Sequence, residues 1–464
     1  MSILTTTTRI LIAGVAALAA PASLSAQDFA ITGATVATGD GSEPVPNATV
    51  VVRSGKVVAA GARVTVPVDV QVLDGTGSWV TPGIFMPLTD LGLYDVGAVS
   101  ESNDIGARNS PFSAAIDVAT ALNPASQHVA VSRAGGVTRA SVSPSPSSSI
   151  FGGQGAIVDL GADPSMLMKP RAFQIVALGE AGARLGGGSR TGAHALLRNA
   201  LREARQYGTD ARIPGSPSRA SDVSTVDDIP VDPRLIDNTT ARGDDVLLTR
   251  FDAAALVPVV RGEQPLYVAV ERASDIRQML SLKLEFPELD LVLVGVSEGW
   301  MVAAEIAASG IPVIADPLDN LPASFEQLAA TQSNIGRMVD AGVTVAIGGL
   351  SGGITGPRTA PQFAGNLVAL SDVPRATGLT WGEALASITS IPAAISGYGG
   401  RYGVLAPGAA GDVVVWDGDP LEVSSTPVRV FIDGVEQPLT NHQTRLRDRY
   451  RDLDESDLPK AYDW

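Results

Sequence analysis

Cysteine is absent from the 464 residues, and histidine occurs three times, at His128, His194 and His442. Without cysteine there is no disulfide, no thiol nucleophile and no cysteine-bound zinc. Three histidines are a small stock for a histidine-rich metal centre. Basic residues are in the minority: 33 Lys and Arg against 49 Asp and Glu leave a net charge of −16. Phosphate backbones need clustered positive charge, so nucleic acid is excluded as a partner. Long apolar runs are missing too. Arg9, the short run Ile10 to Ala20 and the small residues Ser23 to Ala26 read as a cleavable export signal, too short to span a bilayer. Residues 1–26 are therefore expected to leave a periplasmic or secreted protein with no membrane span in the mature chain.

What is there is a globular composition, 45% hydrophobic and 18% charged, long enough for one large domain and a smaller one. Residues 27–81 alternate as strands. Ala34 to Thr38, Ala48 to Arg53, Lys56 to Ala59 and Val68 to Val72 are β-branched, and Ser54-Gly55 reads as a two-residue hairpin turn. At Thr81-Pro82-Gly83 the character changes. Eight apolar strands follow, at Gly83–Leu88, Gly136–Val142, Gln154–Leu160, Phe173–Leu178, Leu266–Glu271, Leu291–Gly295, Ile311–Ala315 and Val343–Gly348. Helical patterns at Arg190–Tyr207, Ala273–Leu284, Glu298–Ser309 and Ser324–Ala341 separate several of them. Eight strands with intervening helices predict an α/β fold, a (β/α)8 TIM-like barrel over residues 82–404. Residues 405–440 return to strand character and are expected to complete the first domain, making a discontinuous β-sandwich from both ends of the chain. Two excursions, 97–132 and 208–245, are long for loops in a compact domain and suit lids or binding loops. Residues 441–464 form a charged tail.

Several motifs carry a resemblance. Val80 to Leu93 reads VTPGIFMPLTDLGL, Ala386 to Ala393 reads ASITSIPA, and Leu405 to Glu422 reads LAPGAAGDVVVWDGDPLE. In that order they resemble the amidohydrolase superfamily, and Asp316 to Phe325 is similar to its exported members related to imidazolonepropionase. The resemblance spans residues 29–437. It implies a barrel whose C-terminal mouth holds one or two divalent metals, which lower the pKa of water and polarise a carbonyl. It also implies hydrolysis of a C–N, non-peptide bond.

Carried over position by position, the implied metal ligands are missing. Leu88 and Asp90 stand for the His-x-His of strand one, Ala269 and Glu271 for histidines at strand five, Gly295 for that of strand six, and Leu350 or Ser351 for the aspartate of strand eight. Glu180 matches a bridging carboxylate after strand four. No catalytic residue is assigned. Asp90, Glu180 and Glu271 are candidate replacement ligands, expected to converge at the barrel mouth. Their repulsion would need Arg272, Arg184 or another basic side chain, protonation of one of them, or a hard cation to offset it.

The leading expectation is an exported amidohydrolase-like protein that has lost its metal centre: a pseudoenzyme with no cofactor and a retained pocket for an amide-like ligand. The alternative is an active hydrolase of cyclic amides or N-acyl and peptide substrates, using a single divalent cation in a rebuilt carboxylate site. A third reading is a partner role, as a homo-oligomer or paired with an active paralogue. Serine-triad chemistry has little support: Ser351 with Gly352-Gly353 forms no Gly-x-Ser-x-Gly elbow, and no histidine is placed to serve as base.

Overall fold

Two eight-stranded sheets carry the molecule, which is described by a computed structural model over residues 26–210, 247–317, 319–348 and 356–451. The first sheet comprises β1 (Phe29–Val36), β2 (Val45–Arg53), β3 (Lys56–Gly61), β4 (Gln71–Asp74) and β5 (Trp79–Pro82). The second begins with β6 (Ile84–Thr89), β7 (Val137–Val142), β8 (Phe151–Asp159) and β9 (Leu167–Ala177), and continues through β10 (Leu266–Val270), β11 (Leu291–Gly295), β12 (Val313–Ala315) and β13 (Val345–Ile347). The chain then returns to the first sheet with β14 (Val413–Trp416), β15 (Pro427–Ile432) and β16 (Val435–Glu436). The expected export signal lies almost wholly outside the described residues, as does most of the second excursion.

β14 pairs antiparallel with β5, so the first sheet is stitched from both ends of the chain. At the β2–β3 turn, Ser54 and Gly55 both have φ in the left-handed region, at 48° and 74°. That pair of conformations suits the twist of a two-residue hairpin, which explains the glycine.

The second sheet runs in order from β6 to β13 and is a nearly closed barrel. Its open seam between β13 and β6 is bridged by Ser387 and Ile388, whose carbonyls accept from the Ile347 and Phe85 N–H groups. Inside lie Phe85, Phe173, Tyr267, Val292, Ile314 and Ala346, with the Phe173 and Tyr267 rings stacked at 4.3 Å. Outside, a larger apolar layer packs the strands against the helices. The glycine of the Pro82-Gly83 motif has a steric reason: a Cβ there would lie 2.1 Å from the Thr138 hydroxyl.

The structure departs from a regular (β/α)8 alternation in one place. β8 runs antiparallel to both β7 and β9, and the three strands connect without intervening helices. Apolar periodicity reports burial but not strand direction, so this reversal is invisible in the pattern.

The main helices are α1 (Gln127–Ala134), α2 (Gly179–Leu185), α3 (Arg190–Asp210), α4 (Arg250–Val260), α5 (Ala273–Glu285) and α6 (Ala303–Ser309). They are followed by α7 (Asn334–Asp340), α8 (Ala360–Ala369), α9 (Trp381–Ala386), α10 (Ser390–Ile395) and α11 (His442–Arg449). The helix expected over Ser324–Ala341 forms only in its second half, as α7. Residues 319–332 are irregular because their polar groups are spent elsewhere. Glu326 and Gln327 reach strand ends, and the Ala329 N–H donates to Glu298.

Where the barrel meets the first sheet, Arg139 on β7 is buried and forms a bidentate pair with buried Asp412, at 2.8 and 3.0 Å. It also donates to Asp433 at 2.7 Å and lies over the Tyr402 ring. Breaking a buried pair leaves an uncompensated charge, at a cost of about 3–5 kcal/mol. Arg139→Met is therefore expected to lower the unfolding free energy by that amount in urea denaturation. A loss within the range of an exposed substitution would contradict this role for the pair.

Candidate functional site

At the C-terminal ends of β9 to β12 the backbone turns sharply. Gly295 and Val296 both have positive φ, 88° and 59°, before a short 3₁₀ turn at Gly299–Val302 leads into α6. A β-branched residue in that region is strained, and such strain concentrates at functional positions. The turn points Ser297 inward and buries it completely.

Ser297 is the hub of the mouth. Its hydroxyl lies 2.6 Å from Glu271 Oε2, and its backbone N–H donates to the same oxygen at 2.9 Å. The hydroxyl also contacts Asp319 Oδ2. Gln327 Nε2 donates to the Ser297 oxygen at 3.1 Å and to Asp319 at 3.2 Å. A serine hydroxyl has one proton and cannot donate to two carboxylates at once. Ser297 therefore donates to one of the two at a time. Burial pushes the Glu271 carboxyl up to about 7; Ser297 pulls it down, and Asp319 and Glu326 push it further up.

Glu271 follows β10 directly, and its carboxylate fills the space beside Gly295. A Cβ on Gly295 would lie 2.1 Å from Glu271 Oε1. No side chain, histidine included, fits at residue 295 while Glu271 keeps this place. Leu88 has positive φ (55°) and packs against the barrel's apolar interior, with its N–H donating to Ser141 Oγ. Ala269 offers a methyl group. Leu350 lies outside the described residues.

The three candidate carboxylates fall into two neighbourhoods. Glu180, in the first turn of α2, has its N–H held by Glu326 Oε2 at 2.6 Å, and Glu326 also raises the pKa of Glu271. These two thus share a neighbour. Asp90 instead faces His128 and Tyr94, and burial raises its pKa. Among the described residues no group of three or more His, Asp or Glu side chains could hold a metal ion. Among the described residues the basic side chain paired with Glu180 is Arg190, the further alternative to Arg184 and Arg272; it lies 3.7 Å from Glu180, 3.0 Å from Asp275 and 3.1 Å from Glu326.

The histidines lie apart from this hub. His128 lies against Tyr94 with ring centroids 4.3 Å apart and the planes tilted by 39°, and its Nε2 is 3.0 Å from the Asp95 carbonyl. His194 is on α3, where burial lowers its pKa. Ser297 itself went unassigned in the sequence, although Gly295-Val296-Ser297-Glu298-Gly299 has the Gly-x-Ser-x-Gly spacing between a strand and a helix. Reading Gly295 as a lost ligand hides it.

Residues 269–436 match the family model described as the amidohydrolase family. Over 60 residues the chain is 50% identical to amidohydrolase tasK of Hapsidospora irregularis, a match covering 13% of this chain and 6% of that protein. An amidohydrolase from Thermotoga maritima superposes with a TM-score of 0.71, at 24% identity, over 88% of this chain and 99% of that one. Molinate hydrolase gives 0.51 at 16% identity, over 89% and 95% of the two chains. The match to the family model is confined to residues 269–436, and the fold around them is that of the Thermotoga amidohydrolase, a barrel with a separate β domain.

The Glu271 shift has a consequence for stability. Between the ordinary glutamate value of 4.5 and about 7, the folded chain holds a proton that the unfolded chain has released. Its contribution is fully present below about 4.5 and is lost as pH rises through about 7. The loss is on the order of 3 kcal/mol. Glu271→Gln is expected to remove this fall and to melt above the wild type on the alkaline side of neutrality. Parallel melting curves of the two proteins across that range would contradict it.

Proposed function

We propose that the mature chain is an exported, periplasmic protein that binds an amide-like small molecule at the barrel mouth without the superfamily's divalent metal centre. The observation that carries this reading is the Glu271 carboxylate seated where a side chain of Gly295 would stand, hydrogen-bonded to Ser297. Leu88 and Ala269 add no ligating atom at the other positions implied by resemblance. Zinc in particular favours nitrogen and sulfur ligands, and the hub supplies oxygens already engaged with a hydroxyl and an amide.

This reading keeps the pocket and gives up the metal. A ligand's amide would meet polar groups on one side, from Ser297 and Gln327, and apolar surface on the other. Leu88 and Val294 belong to that apolar surface, packed on the Phe85 and Tyr267 cluster. Elemental analysis of the mature protein, purified without chelator, is expected to return zinc, iron and manganese well below one equivalent per chain. A stoichiometric transition metal that is lost in Glu271→Gln would overturn the reading.

A further inference from the structure

The same residues that exclude a metal assemble a different chemistry. Ser297 sits at a strand-to-helix turn, preceded by two residues of left-handed backbone and bracketed by Gly295 and Gly299. That is the local architecture by which a hydroxyl is set at the C-terminal edge of a parallel sheet. Its partner carboxylate is 2.6 Å away and is itself held by the Ser297 backbone N–H. Nucleophile and base are thus in contact, and the nucleophile's own backbone N–H holds the base in place. We infer that Ser297 is a nucleophile and Glu271 its general base, in a metal-independent acyl transfer from small amides bearing an apolar acyl group. The inference rests on the metal-free amide-binding reading above.

The steps balance. The Ser297 Oγ proton passes to ionised Glu271 as Oγ bonds to the amide carbon and the carbonyl oxygen takes the negative charge. Collapse breaks the C–N bond, and the amine leaves with the proton returned by Glu271. Water then gives a proton to Glu271 and its hydroxide to the acyl carbon. The Oγ–C bond breaks and Ser297 regains its proton. The net change is amide plus water to acid plus amine. The acyl preference follows from the floor: Leu88 and Val294, packed on aromatic residues, stand where an acyl group would lie.

Ser297 is fully buried in the form described, under Asp319 and Gln327. Both belong to the irregular segment 319–332, tied down through Glu326 to Arg190 and through Ala329 to Glu298 and Trp300. Substrate must displace this segment. Its departure removes Asp319 and Gln327 from Oγ and leaves the Ser297–Glu271 pair facing the apolar floor.

An alkyl fluorophosphonate tests the inference on the full mature chain, with adducts located by intact mass and peptide mapping. One adduct is expected, on Ser297, at the same rate with and without EDTA. Ser297→Ala should give none. Glu271→Gln should react roughly 100-fold more slowly, the usual contribution of a general base. Gln327→Ala should react faster than wild type. Circular dichroism establishes that each variant is folded. No adduct on Ser297 in folded wild type and Gln327→Ala, or an undiminished rate in Glu271→Gln, overturns the inference. Calorimetry with butyryl 4-nitroanilide separates it from the reading beneath it. Binding by a wild type that is not labelled defeats the nucleophile alone, whereas no binding defeats the metal-free amide site itself.

Discussion

The contact between Glu271 and Ser297 is the constraint on which the mouth depends. A glutamate at the end of β10 is drawn from water, and the Ser297 hydroxyl and N–H compensate at 2.6 and 2.9 Å. Buried carboxylates persist when they are hydrogen-bonded, and this one accepts two hydrogen bonds from Ser297. The position it takes leaves no room for a side chain at Gly295, so residues 271 and 295 are linked through a shared volume. The same contact fixes the strained turn at Val296 and thereby the start of the path into α6. It also gives residues 319–332 something to grip, because Asp319 and Gln327 both bond to the Ser297 oxygen.

Around this hub the protein separates tasks. The barrel interior is apolar and aromatic, with the stacked Phe173–Tyr267 pair worth about 0.5–1.5 kcal/mol beyond its burial. Two arginine-centred clusters lie at its ends. Arg139 with Asp412 and Asp433 lies where the barrel meets the β domain, and Arg190 with Asp275 and Glu326 lies near the mouth. The first fixes one domain on the other. The second fastens the irregular segment over Ser297. An arginine shared among several carboxylates explains how an acidic chain tolerates acidic groups at its mouth.

Much of the fold was legible in the sequence. The eight barrel strands are apolar runs bounded by turn residues, and each falls where expected to within a few residues. The β domain's discontinuity follows from strand-like runs at both ends of the chain. Direction was not legible: β8 has the same apolar content whether parallel or antiparallel. The stretch Ser324 to Ser333 looks helical by its alanines and leucine, but its polar side chains find partners on strand ends and hold it irregular. At the site, absences were easier to read than replacements. Leu88, Ala269 and Gly295 stand at positions where the resemblance implies ligands, whereas Asp319 and Gln327 meet Ser297 only through tertiary structure. Ser297 lay in a recognisable pattern, yet its importance comes from Glu271, 26 residues away in sequence.

The central claim is that hydrogen bonds to Glu271 have replaced metal coordination at the barrel mouth. Anomalous diffraction from crystals soaked in zinc at millimolar concentration tests it directly. The account predicts no anomalous peak within bonding distance of Glu271, Ser297 or Asp319, and a Glu271–Ser297 contact that is unchanged. A zinc peak coordinated by Glu271, with Ser297 turned away, would contradict it.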